Sequence, residues 1–269
     1  MTARQVVRHA LDSAGLLDLA REARDVAGSA PWFRDNSRFW LRGAPDRLPV
    51  PPLRLVRFST GTSSVRWYFD GGALAAESIT SILAPQGVDI RRIRSILDFG
   101  CGCGRVIRHW AGLPGSIHGC DYNRLSARWC RRHLPFAEFA VNELRPPLPY
   151  EDGHFDVVYA LSVFTHLPEP LLFDWLSDLR RVLSPNGWLI ASIHGEAYFH
   201  DLSREQQREF RAGRLVVRAA DAAGTNRCGV YFSESYVRHH FSDGFRLVDF
   251  VPRGAKGNPL QDLVLLQRA

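Results

Sequence analysis

The 269-residue sequence has no apolar run approaching the roughly 20 residues a membrane-spanning helix needs. That excludes an integral helical membrane protein. Charges interrupt residues 1–18 too often for a signal-peptide core, so a cytoplasmic protein with no membrane partner is expected. Cysteine is sparse and odd in number, five residues at 101, 103, 120, 130 and 228, which argues against a secreted disulfide framework. No C-x-x-C pair occurs, and Cys101 and Cys103 alternate with glycines, so no metal site is expected. Lysine is nearly missing: Lys256 is the only one among 34 basic side chains, set against 28 acidic ones for a net charge of +6. That mild excess suits anionic partners. The arginine pairs at 91–92, 131–132 and 180–181 lie apart, however, and read as solvated faces rather than a nucleic-acid track. Internal repeats and low-complexity runs are also lacking.

What is present suffices for a large core, with 45% hydrophobic residues. Residues 1–28 carry a helical stripe through Val6, Val7, Ala10, Leu11, Ala14 and Leu17. Residues 29–70 scatter aromatics among prolines and read as an irregular cover, a lid as readily as a structural cap or a dimer contact. A helix is expected over 73–84. From residue 90 a regular alternation begins. Strands are expected at 96–99, 116–120, 136–141, 155–161 and 188–194, and helices from the glycine turn to about Trp110, at 124–133 and at 169–183. Residues 196–232 loosen into an insertion with a polar helix at 204–211. A helix at 233–241 and a closing hairpin at 245–251 and 260–267 complete the chain. The division is therefore a cap over 1–89 and a core over 90–269.

The centre of the pattern is Ile96-Leu-Asp-Phe-Gly-Cys-Gly-Cys-Gly-Arg-Val106. An apolar strand runs into glycines that permit positive φ and close approach of a ligand. The carboxyl edge of such a strand is where open α/β sheets bind small molecules. A dinucleotide fold would place its third glycine at Arg105, and here it falls at Gly104. Asp121, about twenty residues past this loop, ends the second strand, where an acid can accept both hydroxyls of a ribose. Asn142 follows the third strand, ahead of the proline-rich turn at 144–150.

The run Asp98-Phe-Gly-Cys-Gly-Cys-Gly104 resembles motif I of the class I S-adenosylmethionine-dependent methyltransferases. Phe155-Asp156 leading the fourth strand resembles motif IV, and the unit of helix, Pro185-Asn-Gly187 and strand resembles a later one. The likeness covers about residues 90–195, and 233–267 by layout. It implies a Rossmann-like, doubly wound α/β sheet of seven mostly parallel strands with an antiparallel last strand. It implies S-adenosyl-L-methionine contacts from Asp98, Phe99, Gly100, Cys101, Gly102, Gly104, Asp121, Tyr122, Asn142, Glu143 and Leu161. Asp98 would lie near the amino group, Asp121 at the ribose and Tyr122 and Asn142 at the adenine.

The reaction implied is methyl transfer to a small-molecule acceptor, with a hydroxyl of secondary or sugar metabolism in bacteria as the expected class. A neutral hydroxyl needs a base, whereas an amine or thiol can react on desolvation alone. His166, after the fourth strand, and His194, at the end of the fifth, are the candidate bases. Tyr198, His200 and Tyr231 are candidate substrate contacts. An RNA or protein acceptor, and a non-catalytic module using the same pocket, stay open, as does a homodimer. The Asn/Asp-Pro-Pro-Tyr motif of base N-methylation is missing where Tyr159-Ala-Leu-Ser162 stands.

Overall fold

The computed structural model describes residues 30–258 and 260–269; the helix expected over 1–28 lies outside them. Two compact units are present, Met1–Phe69 and Asp70–Ala269. The division thus falls at 69/70 rather than after residue 89. The physical reason is that residues just past it belong to the larger unit. Glu77 pairs with Lys256 at 3.0 Å, and the Ser78 hydroxyl accepts the Lys256 N–H at 3.0 Å.

In the first unit, residues 30–69 are more regular than an irregular cover. They form α1 (Phe33–Arg42), α2 (Leu53–Thr60) and the first turns of α3 (Val65–Leu83). Helices this short give too few turns to print a periodicity on the sequence. Pro52 caps the start of α2, and Gly61 at φ 72° ends it. The buried Asn36 amide ties α1 to the start of α3, donating to the Ser63 carbonyl and accepting the Val65 N–H, both at 2.9 Å. Phe39 stacks on Phe69 at 5.2 Å. The expected helix at 73–84 starts earlier, because Tyr68 and Phe69 are its buried residues rather than cover.

The second unit is built on a parallel run in the order β3-β2-β1-β4-β5. Its strands are β1 (Ser95–Phe99), β2 (Ser116–Asp121), β3 (Glu138–Val141), β4 (Phe155–Ala160) and β5 (Leu183–His194). Beyond β5 lies β9 (Gln261–Arg268), antiparallel to it, and then β8 (Phe245–Val251), antiparallel to β9. These seven strands make the expected sheet. The insertion adds two more, β6 (Val216–Arg218) and β7 (Gly229–Tyr231), an antiparallel pair that meets the tip of β5 at His194↔Tyr231. Three-residue strands are too short to read from alternation.

Every residue of β1 is buried, as expected for a strand covered on both faces. One cover is α5 (Glu169–Val182), which buries Leu172, Trp175, Leu179 and Val182. Trp175 lies 4.7 Å from the Phe99 ring. Burying such side chains stabilises the fold by about 1.5–3 kcal/mol each. The helix α4 (Arg124–His133) starts at Asn123, whose Oδ1 accepts the N–H groups of Leu125 and Ser126.

Two elements differ from expectation. The helix expected after the glycine turn is a single 3-10 turn at Ile107–Trp110. Gly104 at φ 81° and Gly112 at φ 90° bracket it and leave no room for a longer α-helix. The turn expected at 184–187 is instead a distorted start of β5, with Asn186 at φ 61° and a register shift against β4 between Phe155 and Val157. In the insertion, α6 (Arg204–Arg211) starts with a capping box of Ser203 and Gln206. Phe199, Leu202, Phe210, Val216 and Tyr231 form a small core of their own there. The helix α7 (Glu234–His240) follows, with Ser233 as its N-cap.

Candidate active site

Strand register brings the predicted cofactor residues to one edge. Phe99 pairs with Cys120, Cys120 with Ala140, and Asp121 with Val141. Gly100, Asp121 and Asn142 therefore leave three neighbouring strands at nearly the same level and in the same direction. Gly100 and Cys101 donate their N–H groups to the Cys120 carbonyl at 2.8 and 3.0 Å, turning the loop across the end of β2. Gly100 stands at φ 82°. A Cβ there would collide with Cγ2 of Val163, and one on Gly104 with Leu134. Crowding at these two glycines thus comes from the protein's own side chains, not only from room kept for a ligand.

Asp121 holds this loop. Its Oδ2 accepts the Gly102 N–H and its Oδ1 the Asn123 N–H, both at 2.7 Å. Each oxygen keeps a second lone pair for a ribose hydroxyl. Burial pushes the carboxyl up to about 6, opposed by those two N–H groups. Asp98 is also buried, and its Oδ2 has no hydrogen-bond partner. Burial raises it to about 7, against the Tyr159 hydroxyl and the Arg105 charge; the Asp121 carboxylate adds to the rise. Asn142 donates to the Glu143 carbonyl at 2.8 Å while its Oδ1 is buried and unpartnered. Buried acceptors normally have partners, so two orphans beside Asp121 mark a place for a ligand bearing donors.

That pattern fits S-adenosylmethionine. Its ammonium can satisfy Asp98, its ribose hydroxyls Asp121, and its adenine amine Asn142. Other predicted contacts are placed differently. Phe99 points into the core against Trp175, Leu161 is buried, and Tyr122 is 37% exposed. Glu143 is exposed and pairs with Arg124 at 3.4 Å, so it offers the site chiefly its backbone. All five cysteines are free, buried thiols. Among the described residues no group of three or more His, Cys, Asp or Glu is arranged to hold a metal.

The two candidate bases come together, with ring centroids 6.3 Å apart. His166 ends the 3-10 turn Phe164–His166, and its Nδ1 lies 2.6 Å from the Cys228 carbonyl. A carbonyl only accepts, so Nδ1 carries the proton and Nε2 the bare lone pair. Burial lowers its pKa below the ordinary 6.5, with the Cys228 carbonyl opposing. His194 is pushed down to about 4 by burial and then by His166. Its ring packs on Tyr198 at 4.3 Å and Tyr231 at 5.2 Å, and its buried Nδ1 has no partner. His200 is exposed and its ring meets that of Phe199.

Residues not anticipated complete the edge. Ser162, at φ 58°, donates its N–H to the Ser192 hydroxyl at 2.7 Å, and Ser192 donates to Gln261 Oε1 at 2.6 Å. Gln261 Nε2 returns to the Ser162 hydroxyl at 3.0 Å.

A parallel sheet that continues through a reversed last strand is a Rossmann-like architecture. Residues 96–187 match the family model described as "Methyltransferase domain". That match spans 92 of the 269 residues, and over it the chain is similar to the S-adenosylmethionine-dependent methyltransferases. It is similar to the ubiquinone biosynthesis O-methyltransferase of Roseobacter denitrificans, 24% identical over 179 residues, which are 65% of this chain and 63% of that protein. It is also similar to the protein of the same name from Thiobacillus denitrificans, 29% identical over 37% of this chain and 44% of the relative. The chain thus spans about half the length of these curated relatives. Among solved structures it resembles the 1,6-didemethyltoxoflavin-N1-methyltransferase of Burkholderia thailandensis, determined with S-adenosylhomocysteine. The TM-score is 0.52 at 17% identity, over 82% of this chain and 92% of that one, a likeness of fold.

Proposed function

We propose that this chain transfers a methyl group from S-adenosylmethionine to a hydroxyl of a small molecule, with His166 as the general base. One observation carries the cofactor: the buried, unpartnered oxygens of Asp98 and Asn142 flank Asp121 at a single sheet edge. The bound cofactor supplies an electrophilic methyl on a sulfonium. The chain's own task is to align and to move one proton. Asp98 accepts from the amino group, Asp121 from the ribose and Asn142 from the adenine. The acceptor hydroxyl gives its proton to Nε2 of His166 while the Cys228 carbonyl holds the ring's other N–H. A general base of this kind is worth about a hundredfold to ten-thousandfold in rate.

Oxygen is favoured over nitrogen because a histidine with a fixed tautomer and a lowered pKa is in place, and a neutral amine would not need it. The name of the curated relatives, O-methyltransferase, supports the same choice. A planar hydroxylated acceptor suits the ring cluster of His194, Tyr198 and Tyr231. The test is transfer from a labelled methyl donor across phenols, catechols, sugars, amines and RNA. Methylation of hydroxylated compounds is expected; transfer confined to amines or RNA would refute the acceptor assignment.

A further inference from the structure

The loop that carries His166 is held at its start by a buried ring of hydrogen bonds rooted in the last strand. β4 ends at Ala160, and two residues later Ser162 enters the left-handed region at φ 58°. For a non-glycine residue this backbone is unfavourable and persists where surrounding contacts fix it. Those contacts are the Ser162–Ser192–Gln261 ring. Ser192 and Gln261 are both buried, and Gln261 stands directly across from His194 in the β5–β9 register. Ser162 is followed by Val163, the side chain that occupies the space over Gly100 of the glycine loop. His166 follows three residues after that, within a turn closed by its own N–H to the Val163 carbonyl at 3.0 Å.

We infer that Gln261 is a positioning residue for methyl transfer, resting on the function proposed above. It touches no reacting atom. Through Ser162 it sets the turn that seats Val163 over the glycine loop and His166 beside His194. The direction of each hydrogen bond follows from the chemistry of the ring. Gln261 Oε1 takes the Ser192 proton, so Ser192 Oγ is free to accept the Ser162 N–H. Gln261 Nε2 donates to Ser162 Oγ, so the Ser162 hydroxyl proton is left to point outward. Thr165 Oγ1 lies 3.4 Å from the Ser162 hydroxyl, and either of the two can be the donor. A side chain that can both donate and accept is therefore required at 261. Leucine does neither, and an ionised glutamate only accepts.

The test uses the full chain with Gln261→Leu and Gln261→Glu beside the wild type. Three quantities are measured: amide exchange over residues 161–167 without ligand, S-adenosylhomocysteine affinity, and kcat and KM for a hydroxyl acceptor. Exchange at the Ser162 amide should speed up about tenfold or more in both variants. The value of kcat should fall about tenfold, with the S-adenosylhomocysteine Kd within about twofold of wild type. Wild-type exchange and turnover in both variants would overturn the inference. So would a loss of affinity in step with turnover and melting temperature, which is the mark of a merely structural role. If the wild type transfers no methyl group at all, the function beneath it fails separately. The exchange arm then decides whether Gln261 holds this loop, and unchanged protection would overturn that as well.

Discussion

The carboxyl edge of the sheet has two halves that differ in how they are finished. At the tips of β1, β2 and β3 the backbone is anchored, yet two buried acceptors, on Asp98 and Asn142, are left without partners. At the tips of β4, β5 and β9 the hydroxyl and amide groups of Ser162, Ser192 and Gln261 are tied to one another. There the histidines sit among rings, and Nδ1 of His194 is left over. On the function proposed above, the first half would receive the cofactor's donors, and the second would hold a lone pair on His166 and leave recognition of the acceptor to aromatic surfaces. Substitutions should separate the halves cleanly, affinity for the cofactor following the first and turnover the second.

The largest break is expected at Asp121. Asp121→Ala removes the acceptors for a ribose and also the tether of Gly102. Affinity for S-adenosylhomocysteine, read by calorimetry, should fall by a hundredfold or more, on the order of 3 kcal/mol for charge-assisted bonds. An unchanged affinity would leave the first half without its purpose. In the second half, His166→Ala should lower kcat by about a hundredfold with S-adenosylhomocysteine affinity within about twofold. Equal losses of both would erase the distinction between the halves.

A smaller effect sharpens the electrostatics. Asp98 is raised to about 7 and Asp121 to about 6 by burial. Each accepts on both oxygens and carries a charge for the amino group only when ionised, so S-adenosylhomocysteine should bind more tightly as pH rises and release protons on binding below pH 7. Affinity should gain about tenfold from pH 6 to pH 8. His166 is lowered below 6.5 by burial, so it is largely neutral from pH 7 upward, and kcat should remain level between pH 7 and pH 8. The smallest effect is expected from Asn142→Leu, which gives up one neutral hydrogen bond and should weaken binding about fivefold.

The two halves also differed in what could be read from the sequence. Asp98, the three glycines and Asp121 announce themselves by spacing, because a turn at positive φ and an acid at a strand tip are local requirements. Asn142 was singled out by the family resemblance rather than by spacing. The ranges expected for α4, 124–133, and α6, 204–211, agree with the structure, where Asn123 and Ser203 cap their starts. What was not legible is long-range. Gln261 lies 99 positions from Ser162, and the Cys228 carbonyl that fixes the His166 tautomer lies 62 positions from it. Neither is encoded in a pattern of residue types. The strands β6 and β7 escaped because their pairing, not their composition, makes them strands. The 3-10 turn at Ile107–Trp110 was misread as a longer helix because apolar spacing alone does not report the left-handed glycines on either side.

The most direct measurement is a crystal structure of the full chain with S-adenosylhomocysteine. The account predicts the adenine amine on Oδ1 of Asn142, the ribose hydroxyls on Asp121 and the amino group on Oδ2 of Asp98. A nucleoside bound away from these three strand tips, or bound there with Asp98 and Asn142 still unpartnered, would contradict it.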